Sequence, residues 1–447
     1  MSKADPPRLL AARIVLTVAR DGAYANILLP AELSKSNLDS RDRRFVSSLV
    51  YGSLRAQGEL DEIIANVSGR SPQTIDLDIL VLARLGVFQL LKMRVEAHAA
   101  VYETILVSKK LRLHRGSGFL NAVLRKVADQ PAEIWEQVIA KSKSVRQSHP
   151  IWIAREIEQA LRTQGAGQEL DEALKAQNHP ARPNLCHLPG LSAPPMEHQN
   201  RFSPVGSVLP AGNPGDYPEI KNGSVRVQDE GSQLAALVLS RYRRHNSSEE
   251  IWDMCAGPGG KTALLAAEAG DSGAKILASE VSPHRAKLVS SSTEAIRRKF
   301  PRLLRIETAD STLGRTGRFS RILLDAPCSG IGALRRRPEA RWAKSPDQLQ
   351  QLLKIQRDLL YSGVNALNSG GVLAYVTCSP VQQETTHQIS HILRRFPDLE
   401  VLDTPRILES IVCSPISGHE RGSAVQLWPH RHGTDAMFIQ LLKRNPS

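Results

Sequence analysis

The stretch DMCAGPGGKT, residues 253–262, decides the predicted fold of this 447-residue chain. It follows a short apolar run at residues 251–253 that is typical of a strand, and it opens a segment with helical spacing. A Walker-type phosphate loop would need glycine where Cys255 stands, and a dinucleotide fingerprint would need a third glycine where Thr262 stands. Both motifs fail by one residue. The glycines still let the backbone approach a ligand closely, with the N–H groups of a helix N-terminus facing it.

Strand-like and helix-like segments alternate from about residue 226 onward. Strand-like runs lie at residues 251–253, 276–280, 304–307, 322–325 and 372–376. Helical segments fill most of the gaps, at residues 262–269, 283–299, 348–367 and 382–395. This alternation predicts a Rossmann-like α/β domain, with helices on both faces of a mostly parallel sheet. Ligands bind such sheets at the carboxyl ends of the strands, so the residues that follow strands are the candidate site residues.

The rest of the chain divides into two further predicted segments. Residues 1–140 carry apolar residues at helical spacing, which predicts an all-α bundle. Residues 141–225 accumulate Pro, Gly, Asn and His, which predicts a small α+β connecting module that binds RNA. With residues 226–447 as the α/β domain, we expect a multidomain chain with three parts. Residues 109–126 contain six Lys or Arg and no acid, which indicates either an RNA contact or a solvated helix face.

Composition and charge narrow the class of protein. Lys and Arg total 58 against 45 Asp and Glu, and the resulting net charge of +13 favours a polyanionic partner, nucleic acid first. No apolar run approaches the roughly 18 residues of a membrane span, and the N-terminus lacks the apolar core of a secretory signal. Five cysteines without metal-ligand spacing predict neither a disulfide framework nor a metal site. We therefore expect a cytoplasmic monomer without a metal.

Acidic residues after the second and third predicted strands complete a nucleoside pocket. Glu280 lies 20 residues after Gly260, where a carboxylate accepts hydrogen bonds from a ribose diol. Asp310 follows the third predicted strand and is placed to meet the adenine edge. A nucleoside without a pyrophosphate fits this set, and S-adenosylmethionine is the obvious one. The alternative is a tight strand-to-helix turn flanked by surface acids.

Two cysteines follow the fourth and fifth predicted strands. Cys328 lies in DAPCSG, residues 325–330, and Cys378 lies in TCSP, residues 377–380. An isolated cysteine in an apolar strand is usually a small core residue, but two of them beside a nucleoside pocket indicate chemistry. Carbon 5 of a pyrimidine is a poor nucleophile until a thiolate adds to carbon 6, which gives an enamine-like ring that attacks a sulfonium methyl. Asp325, beside ring N3, would hold the charge that develops there.

At these residues the sequence resembles the Sun/RsmB family of RNA 5-methylcytosine methyltransferases, over nearly the whole chain. Five blocks carry the resemblance: VQDEGSQ at 227–233, AGPGGKT at 256–262, DAPCSG at 325–330, RRRPEARW at 335–342 and TCS at 377–379. LVYGSLR at 49–55 and GFLNAVLR at 118–125 resemble the NusB-like helical RNA-binding domain of this branch. The resemblance implies that the substrate is a cytidine of bacterial 16S ribosomal RNA.

The resemblance also implies roles for individual residues. Cys378 matches the nucleophile that bonds carbon 6, Cys328 the cysteine that assists proton removal and release, and Asp325 the acid beside the target base. The residues that match the cofactor set are Cys255, Ala256, Gly257, Pro258, Gly259, Gly260, Lys261, Glu280, Arg285, Asp310 and Asp325. Lys261 is expected either to meet the methionine carboxylate or to cap a helix. The family usually has Asp-x-Asp where this chain has EVS at residues 280–282, so one acid of the pattern is lost.

Two other functions stay open at this point. The first is the same chemistry on transfer RNA, against which the NusB-like domain argues. The second is an RNA-binding assembly or antitermination factor whose methyltransferase domain is only a scaffold. The presence of Cys328, Cys378, Asp325 and the glycine loop argues against the scaffold, because a scaffold needs none of them.

The basic block RRRPEARW contains residues for which the sequence leaves alternatives. Arg335, Arg336 and Arg337 precede a proline in a predicted loop and are either phosphate contacts or solvated side chains. Trp342 is expected to be a packing anchor rather than a platform for base stacking.

Overall fold

The computed structural model describes residues 6–142, 145–191, 198–209, 214–315 and 319–446. Their contacts divide the chain into two compact units. The helical unit consists of the described residues of Met1–Arg155, Leu174–Pro180 and Leu334–Lys344, and the sheet unit consists of those of Glu156–Ala173, Ala181–Ala333 and Ser345–Ser447. This division does not test the domain boundaries predicted near residues 140 and 225, which stay a prediction.

The first part of the chain is mostly helical, and strands and helices alternate after it. Up to residue 227 the elements are α1 (Pro6–Asp21), α2 (Ala25–Lys35), α3 (Ser40–Arg55), α4 (Gln57–Ser68), α5 (Leu77–Lys92), α6 (Ala97–Lys110), α7 (Ser117–Ala128), α8 (Ala132–Ala140), β1 (Val145–Arg146), β2 (His149–Pro150), α9 (Ile151–Arg162), α10 (Leu170–Asn178), β3 (Asn184–His187), β4 (Gly206–Val208), α11 (Pro218–Lys221) and β5 (Val225–Val227). The elements that follow are α12 (Glu230–Arg241), β6 (Glu250–Asp253), α13 (Gly260–Ala269), β7 (Lys275–Glu280), α14 (Pro283–Ser292), α15 (Glu294–Lys299), β8 (Leu304–Thr308), β9 (Phe319–Asp325), α16 (Ala340–Ala343), α17 (Pro346–Ala366), β10 (Leu367–Thr377), α18 (Thr386–Arg395), β11 (Leu399–Val401), α19 (Thr404–Glu409), β12 (Glu420–Arg421), β13 (Ala424–Gln426), α20 (Pro429–His432) and β14 (Phe438–Arg444). Within the described residues, none of these helices is both long enough and apolar enough to cross a membrane.

The helical unit contains the all-α bundle that the sequence predicts, built from α1 to α8. Local signals begin its helices: the carboxylate of Asp76, for example, accepts hydrogen bonds from the N–H groups of Asp78 and Ile79 and so caps α5. The inward faces of these helices form one apolar core, which includes the fully buried Val50 of α3 and Leu124 of α7. The prediction of an N-terminal helical bundle is confirmed.

Residues 334–344 also belong to the helical unit, although they follow β9 of the sheet unit. Arg341 anchors them: it is fully buried and donates hydrogen bonds to the carbonyl oxygens of Arg55 (3.2 Å) and Gln177 (2.8 Å). It also donates to Oδ1 of Asn178 at 2.6 Å. Burial lowers the pKa of Arg341 to about 9, and the nearby charge of Arg55 contributes. Part of the basic block, including Arg341, is therefore buried in this unit.

Other residues of the same block show how it packs. Trp342 lies so close to Gly58 that a Cβ on that glycine would be 2.6 Å from the indole ring, which is the packing role expected for Trp342. Arg335 is buried and is not a solvated side chain. Arg337 is exposed, and its guanidinium lies 4.9 Å from the centre of the Tyr24 ring. A phosphate contact by these arginines stays a prediction.

The sheet unit contains the predicted Rossmann-like sheet. Its strands lie in the order β12-β13-β14-β10-β9-β6-β7-β8, with β11 beside β14. The strands from β10 to β8 are parallel to their neighbours, and β14 runs antiparallel to β10. The mostly parallel sheet is therefore confirmed. Because β6 lies between β7 and β9, the strand order reverses there, and this switch point is where such sheets bind ligands.

Successive residues of the central strands face opposite sides of this sheet and pack into two cores. Ile251 of β6 and Leu323 of β9 belong to the core that includes α12 and α13. Their neighbours Trp252 and Leu324 belong to the core that includes α17 and α18. Helices thus cover both faces, and the carboxyl ends of the parallel strands form the edge at which polar residues gather.

A smaller antiparallel sheet, of order β4-β3-β5, also lies in the sheet unit. Leu185 of β3 pairs with Ser207 of β4 on one side and with Val227 of β5 on the other. Together with α9 to α11, this sheet gives the middle of the chain the mixed α and β character that its composition predicts.

Candidate active site

The glycine loop joins β6 to α13 at the carboxyl edge of the parallel strands. Gly259 has a φ of +105°, and a Cβ there would lie 2.9 Å from the Cα of Val289. A Cβ on Gly257 would lie 2.4 Å from Oε2 of Glu280. A side chain at either position is therefore excluded by its neighbours, and at Gly259 by backbone conformation as well. The loop therefore packs closely against its protein neighbours, and its close approach to a ligand stays a prediction.

A buried carboxyl supports this loop. Asp253 ends β6 and accepts a hydrogen bond from Oγ1 of Thr262 at 2.6 Å, which ties the first turn of α13 to the strand. Burial raises the pKa of Asp253 to about 7, and the charge of Asp325 contributes. Burial also raises the pKa of Cys255 well above its usual range, with the charge of Asp253 adding to the effect, so this thiol is neutral. The sequence motif had assigned no role to Asp253.

Glu280 ends β7, is buried, and is bonded to the glycine loop. Its Oε2 accepts from the N–H of Gly257 and its Oε1 from the N–H of Ser282, both at 3.0 Å. Arg285 donates to the carbonyl oxygen of Gly257 at 2.5 Å, and its Nη1 lies 3.5 Å from Oε2 of Glu280. A carboxylate oxygen can accept two hydrogen bonds, and Oε1 accepts one here, so the residue retains acceptor capacity for a ribose diol. The sugar contact itself stays a prediction.

Asp310 lies beyond the end of β8 and is exposed. Its Oδ1 accepts from the N–H and the hydroxyl of Thr312, at 2.9 and 2.7 Å, and so caps the turn that follows. The hydroxyl of Ser311 donates to the carbonyl oxygen of Met254 at 2.7 Å, which ties this turn to the start of the glycine loop. Asp310 is therefore at the expected edge, and a contact with adenine would use Oδ2.

Lys261 and Asp325 form a largely buried ion pair, with 2.7 Å between Nζ and Oδ2. Burial lowers the pKa of Lys261, but the charge of Asp325 and the hydrogen bond to it outweigh burial and raise the pKa. An ammonium only donates hydrogen bonds, so Lys261 does not cap the N-terminus of its own helix, α13. A contact with the methionine carboxylate stays a prediction.

Cys328 and Cys378 lie on the loops that follow the adjacent parallel strands β9 and β10. Their sulfurs are 3.3 Å apart. Two backbone hydrogen bonds of 2.9 Å join the loops, from Ala326 N–H to the Val376 carbonyl and from Gly332 N–H to the Cys378 carbonyl. The hydrogen bond with Cys378 and burial raise the pKa of Cys328 well above its usual range. Cys328 therefore keeps its proton at neutral pH.

One fully buried acid of this site, Glu384, was missed by sequence analysis. Its Oε1 accepts from the N–H of Ser329 at 2.7 Å and from Nε2 of Gln356 at 3.1 Å. Its Oε2 accepts from the hydroxyls of Ser329 at 2.5 Å and Ser379 at 2.6 Å. The two serines directly follow the two cysteines. No local pattern in QQET, residues 382–385, marks a buried acid, because Ser329 and Gln356 come from distant parts of the sequence.

The fold and this edge of the sheet define the class of protein. A Rossmann-like sheet, a glycine loop that fits no phosphate motif and a buried acid after the next strand are typical of enzymes that bind a nucleoside cofactor without a pyrophosphate. Without a Cβ at Gly257 and Gly259, the loop packs directly against Glu280 and Val289, and this contact fixes its path at this edge of the sheet. The fold and the site therefore define an enzyme that binds a nucleoside cofactor such as S-adenosylmethionine.

Comparisons with known proteins give the family. A model described as 16S rRNA methyltransferase RsmB/F matches residues 242–443, and a NusB family model matches residues 5–129. The chain is 40% identical to a putative methyltransferase of Mycobacterium tuberculosis, over 98% of this chain and 97% of that protein. It is 31% identical to ribosomal RNA small subunit methyltransferase B of Pseudomonas putida, over 89% of this chain and 91% of that protein. The chain belongs to the RsmB/Sun family of RNA methyltransferases, with a NusB-like N-terminal domain.

Solved structures agree with this fold. The crystal structure of PH0851 matches with a TM-score of 0.79 at 20% identity, over 99% of this chain and 100% of that one. The structure of NSun6 from Pyrococcus horikoshii matches with a TM-score of 0.51 at 16% identity, over 66% of this chain and 98% of that one. At these identities the likeness concerns the fold alone.

Proposed function

We propose that the chain methylates carbon 5 of a cytidine in 16S ribosomal RNA through a covalent bond between Cys378 and carbon 6. The observation that carries this proposal is the 3.3 Å separation of the Cys328 and Cys378 sulfurs at two adjacent strand ends. A pair of thiols beside a cofactor loop suits a reaction that must both form and break a bond to the enzyme. The name of the Pseudomonas putida relative supports the small-subunit RNA as substrate.

In this proposal Cys378 is the nucleophile. Cys328 holds its proton because its pKa is raised, so it can donate a hydrogen bond to a thiolate at Cys378. The Cys378 thiol first gives its proton to water. The thiolate then adds to carbon 6, and the electron pair of the C5–C6 double bond becomes available at carbon 5. S-adenosylmethionine supplies the electrophilic methyl group for carbon 5.

The ion pair of Lys261 and Asp325 holds the ring during this step. The ammonium donates hydrogen bonds, so it suits N3 or O2 of the cytosine, where negative charge develops. The carboxylate accepts hydrogen bonds, so it suits the exocyclic amino group of the same base. Because Lys261 lies 2.7 Å from Asp325, we assign the stabilisation of charge to the pair rather than to Asp325 alone.

Release of the product needs a second proton transfer. Water takes up the C5 proton, its bonding pair restores the C5–C6 double bond, and the Cys378 sulfur leaves carbon 6 as a thiolate. Cys328 lies next to that sulfur and keeps its own proton, so we assign it to this step as the hydrogen-bond donor to the departing thiolate.

We assign RNA binding to residues 1–140 and 141–225 and catalysis to residues 226–447. The NusB family match over residues 5–129 and the net charge of +13 support the first of these assignments. Because 16S RNA is made and assembled in the bacterial cytoplasm, we place the chain there, acting as a monomer.

The test uses Cys328→Ala, Cys378→Ala and the double variant with unmethylated small-subunit RNA and S-adenosylmethionine on a denaturing gel. We expect Cys328→Ala to trap a protein–RNA adduct that is absent from the double variant. Cys413→Ala, which changes an exposed cysteine, is the matched control and should turn over like the wild type. An adduct in Cys378→Ala alone would exchange the two roles. Methyl transfer that persists in Cys378→Ala without any adduct would contradict the covalent mechanism.

Two further assays separate the alternatives. Transfer RNA offered in place of small-subunit RNA should not be methylated, and methylation of transfer RNA alone would overturn the substrate assignment. Calorimetry should show binding of S-adenosylmethionine, which a pure scaffold need not retain.

A further inference from the structure

We infer that Glu384 is a positioning residue that sets the separation of the Cys328 and Cys378 sulfurs. Glu384 bonds to the residue that follows each cysteine, so it acts through the two loops rather than on the RNA. The catalytic meaning of this inference rests on the proposed function, in which one thiol attacks and the other assists release. The claim that Glu384 sets the separation of the two sulfurs concerns the free enzyme and is testable without RNA.

The carboxylate of Glu384 bridges the two cysteine loops with its full hydrogen-bonding capacity. A carboxylate offers about four acceptor positions. Ser329 fills two of them with its N–H and its hydroxyl, Ser379 fills one, and Gln356 fills the fourth. Because Ser329 and Ser379 bond to the same oxygen, and lie 3.3 Å apart at their hydroxyls, neither loop shifts without disturbing the other.

The bridge is itself held by rigid elements. The hydroxyl of Tyr375, on the central strand β10, donates to the carbonyl oxygen of Glu384 at 2.8 Å. Gln356, on α17, donates to the carbonyl oxygen of Pro327 at 2.9 Å as well as to the carboxylate. Both side chains are fully buried. The strand and the helix therefore fix the carboxylate, and the carboxylate fixes the loops.

A buried carboxylate holds its partners more tightly than an apolar side chain would. Leaving such a group without donors is costly in a low-dielectric interior, so each serine that moved away would leave an unsatisfied charge. Steps that need two groups at a set distance are sensitive to displacement, and a shift of about 1 Å can cost on the order of 100-fold in rate. In the proposed mechanism, release of the RNA depends on both thiols, so it is the step most sensitive to such a shift.

Three variants separate positioning from folding. Glu384→Ala removes the bridge. Glu384→Gln keeps its shape, because the amide oxygen accepts from the two N–H donors and the amide nitrogen donates to the two serine hydroxyls. Glu249→Ala is the matched control: Glu249 is a buried acid bonded to Arg321 and His245, and it precedes β6, at the opposite end of the strands from the cysteines.

The first measurement is the rate of disulfide formation in the free enzyme with diamide as oxidant. Two S–H bonds break, one S–S bond forms, and diamide takes up the two hydrogens. We expect Glu384→Ala to slow the Cys328–Cys378 disulfide by about tenfold or more, while Glu384→Gln and Glu249→Ala stay close to the wild type. Mass spectrometry of the peptides identifies the bond.

The second measurement is the amount of protein–RNA adduct during turnover. We expect Glu384→Ala, with both cysteines present, to accumulate about tenfold more adduct than the wild type, because release slows more than attack. A merely structural role would lower methyl transfer without adduct and would affect Glu249→Ala alike. If Glu384→Ala does not fold, Ser329→Ala and Ser379→Ala each remove one serine hydroxyl from the bridge and should show both effects in weaker form.

The outcomes separate this inference from the proposed function. Disulfide formation at the wild-type rate in Glu384→Ala, or equal slowing in Glu249→Ala, would overturn the inference. An absence of adduct even in Cys328→Ala, together with a selective loss of disulfide formation in Glu384→Ala, would overturn the covalent mechanism and leave Glu384 as the residue that sets the sulfur separation.

Discussion

The glycine loop and the two cysteine loops leave the same edge of one sheet, yet they are held in different ways. The glycine loop is fixed by a positive φ at Gly259 and by the side chains of Glu280 and Arg285, which both bond to the backbone of Gly257. The cysteine loops are fixed by a side chain from elsewhere, the carboxylate of Glu384. A single loop can be held by side chains that bond to it alone, whereas two reacting thiols on separate loops need a group that reaches both.

The largest effect is expected at the pair that links the two regions. Asp325 ends β9, before Cys328, and its partner Lys261 belongs to the glycine loop motif. Asp325→Asn removes the charge that holds the ammonium, so methyl transfer should fall by about 100- to 1,000-fold. Single-turnover transfer to small-subunit RNA measures this, with the exposed Asp347→Asn as control. A fall of less than tenfold would mean that the two regions work independently.

A second prediction compares one glycine from each region. Gly259 and Gly330 both have positive φ, but a Cβ on Gly330 meets nothing within 4 Å, whereas a Cβ on Gly259 meets the backbone of Val289. At either φ, replacing glycine with alanine destabilises the folded loop by about 1–2 kcal/mol, and the clash at Gly259 adds about 1–3 kcal/mol to this destabilisation. By calorimetry, Gly259→Ala should weaken binding of S-adenosylmethionine by about tenfold or more, and Gly330→Ala should leave it unchanged. Equal losses would show that φ alone matters.

A third prediction concerns the pH dependence of stability at the base of the glycine loop. Asp253 has a folded-state pKa of about 7, above its ordinary value of 3.8. Between these pH values the folded chain keeps a proton that the unfolded chain loses, so the stability contributed at low pH is lost as the pH rises. The slope should reach about 1.4 kcal/mol per pH unit.

Urea unfolding at pH 5 and pH 7 tests this expectation. Asp253→Asn should lose less stability than the wild type between the two pH values, while the exposed Asp271→Asn should behave like the wild type. Parallel losses in all three proteins would show that Asp253 is ionised in the folded chain at pH 5.

The smallest effect is expected at the rim of the glycine loop. Arg285 is half exposed, and Arg285→Met removes its hydrogen bond to the Gly257 carbonyl. Since a hydrogen bond contributes about 1 kcal/mol net, binding of S-adenosylmethionine should weaken by about fivefold. Arg298→Met, which removes an exposed ion pair with Glu294, is the control for calorimetry. An unchanged affinity in Arg285→Met would assign the shape of the loop to its glycines alone.

The sequence predicts the candidate ligand-binding residues better than it predicts the contacts that hold those residues in place. Strand ends, the glycine loop and the two cysteines lie in short motifs whose spacing follows from a parallel sheet, and the fold and family predicted from them are confirmed. Glu384 and the Lys261–Asp325 pair were not predicted as contacts, because their partners are distant in sequence and only tertiary packing brings them together. The roles of individual site residues stay predictions.

The segment at residues 334–344 limits how the chain can be shortened. It begins six residues after Cys328, yet it buries Arg341 among residues of the helical unit. A fragment that started at residue 226 would keep this arginine and lose the carbonyl and amide groups that receive its guanidinium. The helical unit is therefore not a module that a single cut at residue 226 removes without loss. A shortened catalytic fragment would need changes at residues 334–344 as well, because its buried arginine would lack its acceptors.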